Sequence, residues 1–223
     1  KGILSKVKDG NVSVSINRQE REVRIEDNGQ GIPTEEVAAR LLNIADSPKD
    51  GISAAGQFGI GRLVGAGYCR RLVFETSVKG EKIKTRLELD VDFVENVLRD
   101  SSNDSSANEL MDAATQLKRS AEKEEAHYFK VFLEDIKPDY DQLLDEELVT
   151  DYLKEVAPID FSLPFKSRYY NAIEEEYKPY SNGLSYVNIS VNQQNDIRKR
   201  YGLKIEGTED TIEELECFII KDD

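Results

Sequence analysis

The sequence predicts an α+β fold, a two-layer sandwich in which helices cover one face of a mixed, mostly antiparallel sheet. Three observations predict it. Segments that alternate apolar and polar residues recur along the chain, each suited to a strand with one buried face. Helical patterns lie between those strands instead of forming a block of their own. Two glycine-rich turns punctuate them, one leaving a strand and one opening a helix.

Residues 11–17 (NVSVSIN) and 22–26 (EVRIE) alternate and flank the polar link RQER, which predicts a hairpin. The second strand runs into Asp27-Asn28-Gly29-Gln30-Gly31-Ile32-Pro33. Thr34 then stands as the N-cap of a helix whose first turn carries Glu35 and Glu36 and whose apolar positions are Val37, Leu41, Leu42 and Ala45. Residues 47–55 (SPKDGISAA) read as a mobile loop, and GQFGIG over 56–61 opens a helix over 62–67. Strands are expected at 70–78 and 82–90, a flexible loop at 100–108, and an exposed helix at 109–125 with Leu110, Ala113, Leu117 and Ala121 as its stripe. YFKVFLEDI at 128–136 is a further strand. Residues 140–156 are an amphipathic helix with Leu143, Leu144, Leu148, Val149, Tyr152 and Leu153 near one face, stopped by Pro158. Two last strands are expected at 185–192 and 215–220. The domain division follows: 1–170 as the main domain, 171–223 as a connector and the start of a second α/β domain.

Composition narrows the function classes. The formal charge of −14 argues against nucleic acid as a partner, because phosphate backbones need clustered Lys and Arg. The short Arg198-Lys199-Arg200 run reads as a solvated turn or a contact patch. No apolar run approaches the roughly 20 residues of a membrane span, and no secretory leader is visible. Cys69 and Cys217 lie in apolar surroundings and read as reduced thiols in a cytoplasmic protein. His127 is the single histidine, so a His-rich metal site is excluded. The first residue is Lys1, and the native N-terminus is expected upstream.

Two motifs carry chemistry. In Asp27-x-Gly29-x-Gly31, a carboxylate at a strand end can accept a hydrogen bond from an exocyclic amine, and glycines let backbone pass close to a planar ring. Read singly, the motif also fits a plain turn. A calcium loop is ruled out, since the alternating acidic ligands and closing Glu are missing. In Gly56-Gln57-Phe58-Gly59-Ile60-Gly61, backbone N–H groups at a helix start can hold an anion. It is neither a Walker A loop, which would end Gly-Lys-Ser/Thr, nor a dinucleotide turn, which would follow the first strand.

Together the motifs resemble those of the GHKL superfamily, whose members include heat-shock-protein-90 chaperones, MutL-type proteins, type II topoisomerases and histidine kinases. IEDNGQGIP resembles its adenine motif, GQFGIGRLVGAGYCRRLVFETS its lid and following strand, and LNIADSPK the stretch leading into the lid. The resemblance covers residues 10–90 closely and extends loosely to about 166, and GQFGIG favours the heat-shock-protein-90-like branch. It implies the Bergerat ATP-binding fold, with ATP or ADP as ligand and Mg2+ in the intact protein. Asp27 would receive the adenine amino group, Gly29 and Gly31 would shape the turn against the base, and Ile32 would pack on the ring. Gly56, Gly59 and Gly61 would shape the lid, with N–H groups of Phe58, Gly59, Ile60 and Gly61 toward the phosphates. Lys49 would approach a phosphate or stay solvated.

Two departures bear on catalysis. The family carries a Glu base and an Asn magnesium ligand on a helix before the first strand, and KGILSKVKDG contains neither. A Thr expected before the last sheet strand is replaced by Ala126-His127-Tyr128-Phe129. Catalytic residues therefore stay unassigned, and Glu35, Glu36 and Asp46 read as surface charges. The sequence supports an ATP-binding domain with a closing lid, hydrolysing only if an upstream helix supplies base and metal ligand. The alternatives are a nucleotide-responsive interaction scaffold without turnover, or a sensor histidine kinase's catalytic domain. The expected partners are an adjacent domain or another protein, with homodimerisation through regions outside this chain and no membrane.

Overall fold

A computed structural model describes residues 10–42, 61–100, 104, 106–162, 186–192, 194–199, 203–204 and 211–212. Strands β1 (Asn11–Asn17) and β2 (Glu22–Asp27) form the expected hairpin, with Val14 opposite Ile25 and Ile16 opposite Val23. Asn17 closes the turn by accepting the Gln19 and Glu20 amides on its side-chain oxygen, the local bond that makes Asn a turn residue. A second hairpin joins β3 (Cys69–Ser77) and β4 (Ile83–Asp90), turning at Gly80, whose φ is 96°.

The sheet is completed by β5 (Thr115–Ala121), β6 (Tyr128–Ile136) and β7 (Asn188–Val191), in the order β5-β4-β3-β6-β2-β1-β7. Every neighbouring pair is antiparallel except β1 and β7. Thus β6, distant in sequence, inserts between the two hairpins. Residues 188–191, which the sequence placed in the connector after 170, form the edge strand beside β1. A separate two-stranded ribbon pairs β8 (Leu203–Lys204) with β9 (Thr211–Ile212). The strand expected at 215–220 lies outside the described residues.

Alternation gives the sheet two unlike faces. Val14, Val23, Leu72, Phe74, Leu87, Leu89 and Leu133 point into one buried cluster. Against them pack Val37 and Leu41 of α1 (Val37–Leu42), Val91 of α2 (Val91–Arg99), and Met111 and Ala114 of α3 (Ala107–Ala114). The opposite face is charged. Arg86 bonds Glu134 at 2.8 Å and Glu88 at 2.9 Å, Lys130 reaches Glu26 at 3.5 Å and Glu75 at 3.8 Å, and Phe132 lies between Arg24 and Arg86. An α+β sandwich with helices on one face is what was expected.

The helical elements differ in detail. The helix expected at 109–125 is instead α3 followed by β5. Seven residues of β5 pair with β4, with Leu117 opposite Leu87. Helix propensities differ by only tenths of a kcal/mol per residue, whereas an unpaired β4 edge would leave a row of backbone groups without partners. The stripe changes accordingly: Leu110, Met111 and Ala114 are buried, while Ala113 and Leu117 are exposed.

The helix expected at 140–156 splits into a 3-10 segment (Pro138–Leu144) and α4 (Glu146–Val156). Tyr140 leaves the helical region, and Asp145 restarts the helix by accepting the Glu147 and Leu148 amides at 3.0 and 3.1 Å. Val149 and Leu153 pack inward, but Leu148 and Tyr152, expected on that face, are 56% and 63% exposed. The helix expected at 62–67 is a 3-10 segment, Gly61–Gly67. Helix α2 had no clear advance signal, and Asp90 caps it through the Phe93 amide at 2.9 Å.

Candidate functional site

The helix-side face of the sheet ends in one cross-strand row. Val12, Asp27, Phe129, Thr76 and Thr85 are successive register partners on β1, β2, β6, β3 and β4. The rows behind it are apolar, so the polar residues of this face gather at the end where the DNGQG turn leaves the sheet.

Asp27 closes β2. Its Oδ1 accepts the Gly29 N–H at 2.8 Å. Burial holds the carboxyl above the ordinary carboxylate range, the Gly29 N–H opposes the rise, and the nearby Glu26 charge adds to it. A half-buried carboxylate with one oxygen engaged by backbone is suited to accept a further hydrogen bond from a ligand amine.

Three strands pin the turn that follows. Asn28 donates its backbone N–H to the Asn11 carbonyl at 3.2 Å, and its side-chain oxygen accepts the Asn11 N–H at 2.8 Å, tying the turn to β1. Ile32 donates its N–H to Thr76 Oγ1 at 2.8 Å, and that hydroxyl donates to the Tyr128 carbonyl at 2.9 Å, tying it to β3 and β6. His127 Nδ1 lies 2.9 Å from the Gly29 carbonyl. That oxygen can only accept, so Nδ1 carries the proton.

Gly31 has φ 73°, and a Cβ there would stand 2.1 Å from the Ser77 carbonyl oxygen and 2.9 Å from Thr76 Oγ1. The fold itself therefore demands glycine at this position, independently of any ligand. Ile32 is buried in the core cluster at 4% exposure. Gly29 is buried beneath the His127 contact.

Thr34, expected to cap the helix, is itself capped. Pro33 holds the N-cap position of a 3-10 turn (Thr34–Glu36) that leads into α1, without a side-chain bond, and the Thr34 amide and hydroxyl both donate to Glu81 from the β3–β4 hairpin, the hydroxyl at 2.9 Å. Thr85 donates to Thr34 Oγ1 at 3.1 Å. The cap comes from across the fold because proline, lacking both N–H and a side-chain acceptor, cannot supply one.

A cleft of about 810 Å³ opens beside Asp27, lined by Val12, Asn28, His127, Asn188 and Ile189 among others. It does not reach Gly31 or Ile32. On the helix side, Ile25 is 37% exposed, and Phe129 and Val131 are half-buried, which leaves an apolar shelf behind Asp27. The structure thus brings Asp27, Gly29, Gly31 and Ile32 together. Lys49, Gly56, Phe58, Gly59 and Ile60 lie outside the described residues. Gly61 begins the 3-10 segment that enters β3, where Tyr68 donates to the Gly65 carbonyl at 3.1 Å and Lys137 donates to the Tyr68 carbonyl at 2.9 Å.

Two residues of the site were missed in the sequence. Thr76 supplies a buried hydroxyl two strands from Asp27 in the same row, although the expected Thr near 126–131 is absent. The sequence marks His127 as the single histidine and as part of the segment that replaces the expected Thr, but gives it no role of its own. Neither announces itself locally: Thr76 stands near the end of β3 and His127 just before β6, each far along the chain from the turn.

The described residues alone build no magnesium site. Among the described residues no three His, Cys, Asp or Glu side chains come together to hold a metal ion. Three acids of the turn and its surroundings are engaged: Asp27 with Gly29, Glu26 with Arg24 and Lys130 on the opposite face, Glu81 with Thr34. Glu36 pairs with Arg40 at 2.5 Å as a surface charge, and Asp46 lies outside the described residues. No helix among the described residues is long and apolar enough to cross a membrane.

No curated protein matches the sequence. The family model described as histidine kinase-, DNA gyrase B- and HSP90-like ATPase matches residues 5–123. That span is more than half of the chain and contains both glycine motifs, β1 to β5 and the Asp27 turn. With the sheet and the one-sided helical layer described above, the match establishes that this chain belongs to the GHKL superfamily and carries its ATP-binding domain.

Proposed function

We propose that the chain is the ATP-binding module of a heat-shock-protein-90-like protein, with residues 47–61 closing as a lid over the nucleotide. The observation that carries this reading is Asp27. One carboxylate oxygen is engaged by the Gly29 N–H, and the partly desolvated group stands at a strand end beside an open cleft. The adenine amino group is the donor such an acceptor selects, because a buried acceptor without its partner costs more than the bond gains. The half-buried shelf of Ile25, Phe129 and Val131 suits the face of a purine. In this reading Lys49, Gly56, Phe58, Gly59, Ile60 and Gly61 act on the phosphates, and the ligand is ATP or ADP.

Lid closure would bias contacts with an adjacent domain, a second subunit or another protein. The setting is a reducing cytoplasm, with which the free, buried Cys69 agrees. Calorimetric titration of the intact protein with ATP and magnesium tests the reading. Saturable binding is expected, and no binding of ATP or ADP at millimolar concentration defeats it.

A reading without turnover is favoured by one observation: Glu26 and Glu81, two acids beside the Asp27 turn, are already engaged by the fold. Hydrolysis then depends on a base and a metal ligand supplied from an upstream helix. Phosphate release measured on the intact protein separates the two readings.

A further inference from the structure

We propose that His127 is the positioning residue of the adenine-recognition turn, holding Gly29 so that Asp27 presents its carboxylate to an exocyclic amine. The inference rests on the nucleotide reading above and names the device that sets its selectivity. Gly29 is gripped at both of its backbone polar groups. Its N–H goes to Asp27 Oδ1 at 2.8 Å, and its carbonyl accepts from His127 Nδ1 at 2.9 Å. A glycine has the widest backbone freedom of any residue, so a turn built on one holds its shape only through such bonds. His127, Gly29 and Asp27 therefore form one chain of contacts, and the last member is the ligand acceptor.

The ring is well founded for this task. It precedes β6, whose Phe129 is the register partner of Asp27. The turn carrying it is fixed by three bonds: Ala126 N–H to the Lys123 carbonyl at 3.0 Å, Gly80 N–H to the Glu124 carbonyl at 2.7 Å, and Glu122 N–H to the Lys82 carbonyl at 2.9 Å. His127 also lines the cleft beside Asp27. A surface histidine with an incidental bond would have no reason to affect which base binds. A positioning histidine would.

The test compares ATP with inosine triphosphate, which carries a carbonyl where adenine carries the amine. Calorimetric titrations are run on the intact wild type, His127→Ala and His127→Asn, with melting temperatures confirming that each is folded. Asparagine places its amide nitrogen where the imidazole Nδ1 stood and can donate to the same carbonyl. His127→Ala is expected to weaken ATP binding about three- to tenfold, the range for losing one hydrogen bond, with inosine triphosphate affinity changing less than twofold. His127→Asn should recover ATP affinity to within about twofold of wild type.

Equal losses for both nucleotides, an unchanged ATP affinity in the alanine variant, or no recovery in the asparagine variant would each overturn the proposal. Asp27→Asn is the control that separates the two levels. If the wild type binds ATP and Asp27→Asn loses it while His127→Ala does not, only this inference falls. If the wild type binds neither nucleotide, both fall.

Discussion

Asp27 holds a charge at some cost, and the cost has a sign. Because burial raises its carboxyl above the usual range, the folded state favours the protonated form. The stability this contributes is complete at low pH and is lost as pH rises through the raised value. Asp27→Asn removes the penalty and keeps an oxygen for the Gly29 amide. Near neutral pH the ligand-free variant should melt no lower than wild type, while its ATP affinity falls at least tenfold, about 1.4 kcal/mol. Melting curves and titrations on the same samples check both halves. Thr76 behaves oppositely. Thr76→Val leaves the Ile32 N–H without its acceptor in a buried place, which costs about 1–3 kcal/mol and is read by chemical denaturation. The residue scale also shows what was legible. Asp27, Gly29 and Gly31 could be named from sequence because they are contiguous at a strand end. Thr76 and His127 could not, since they meet the turn from 44 and 98 positions away.

Elements were legible where periodicity and turn chemistry agreed. The hairpin of β1 and β2, the strands β3, β4 and β6, and the break after Gly31 all announce themselves locally. Residues 115–121 do not, because TQLKRSA suits a helix as well as a strand, and only the waiting edge of β4 decides. The two alternatives differ in amide hydrogen exchange. An antiparallel edge strand turns alternate N–H groups outward, so protection along 115–121 should alternate, whereas a helix would protect every amide beyond its first turn. Uniform protection there would contradict the strand. The start of the 3-10 turn that leads into α1 also depends on a distant element. Glu81, in the turn of the β3–β4 hairpin, supplies the cap that Pro33 cannot. Glu81→Ala should cost about 1 kcal/mol, typical of a lost cap, seen as a shift in the denaturation midpoint. The same contact joins the turn of the β3–β4 hairpin to the segment that follows the Asp27 turn.

For the whole molecule, ligand binding and stability are linked. Any nucleotide that binds only the folded chain stabilises it by about 2.7 kcal/mol at a hundredfold excess over Kd. For a domain of this size that corresponds to a rise in Tm of roughly 5–10 °C. Differential scanning fluorimetry with ATP should show the rise, and Asp27→Asn should abolish most of it at the same ATP concentration. A second global readout concerns Cys69, whose buried thiol is pushed up to about 12. It should stay unlabelled by maleimide at pH 8 until the chain unfolds. The overall layering was predictable from the alternation of the strands, but the sheet order was not, since nothing local places β6 between two hairpins or returns β7 to the side of β1. The charged back of that sheet governs how the domain can be neighboured. Arg24, Arg86 and Lys130 are paired there with Glu26, Glu75, Glu88 and Glu134, with Phe132 clasped between two guanidinium groups. Covering them would strip water from interlocked ions, at several kcal/mol for each one left imperfectly paired. This wall disfavours lamination by a second apolar sheet.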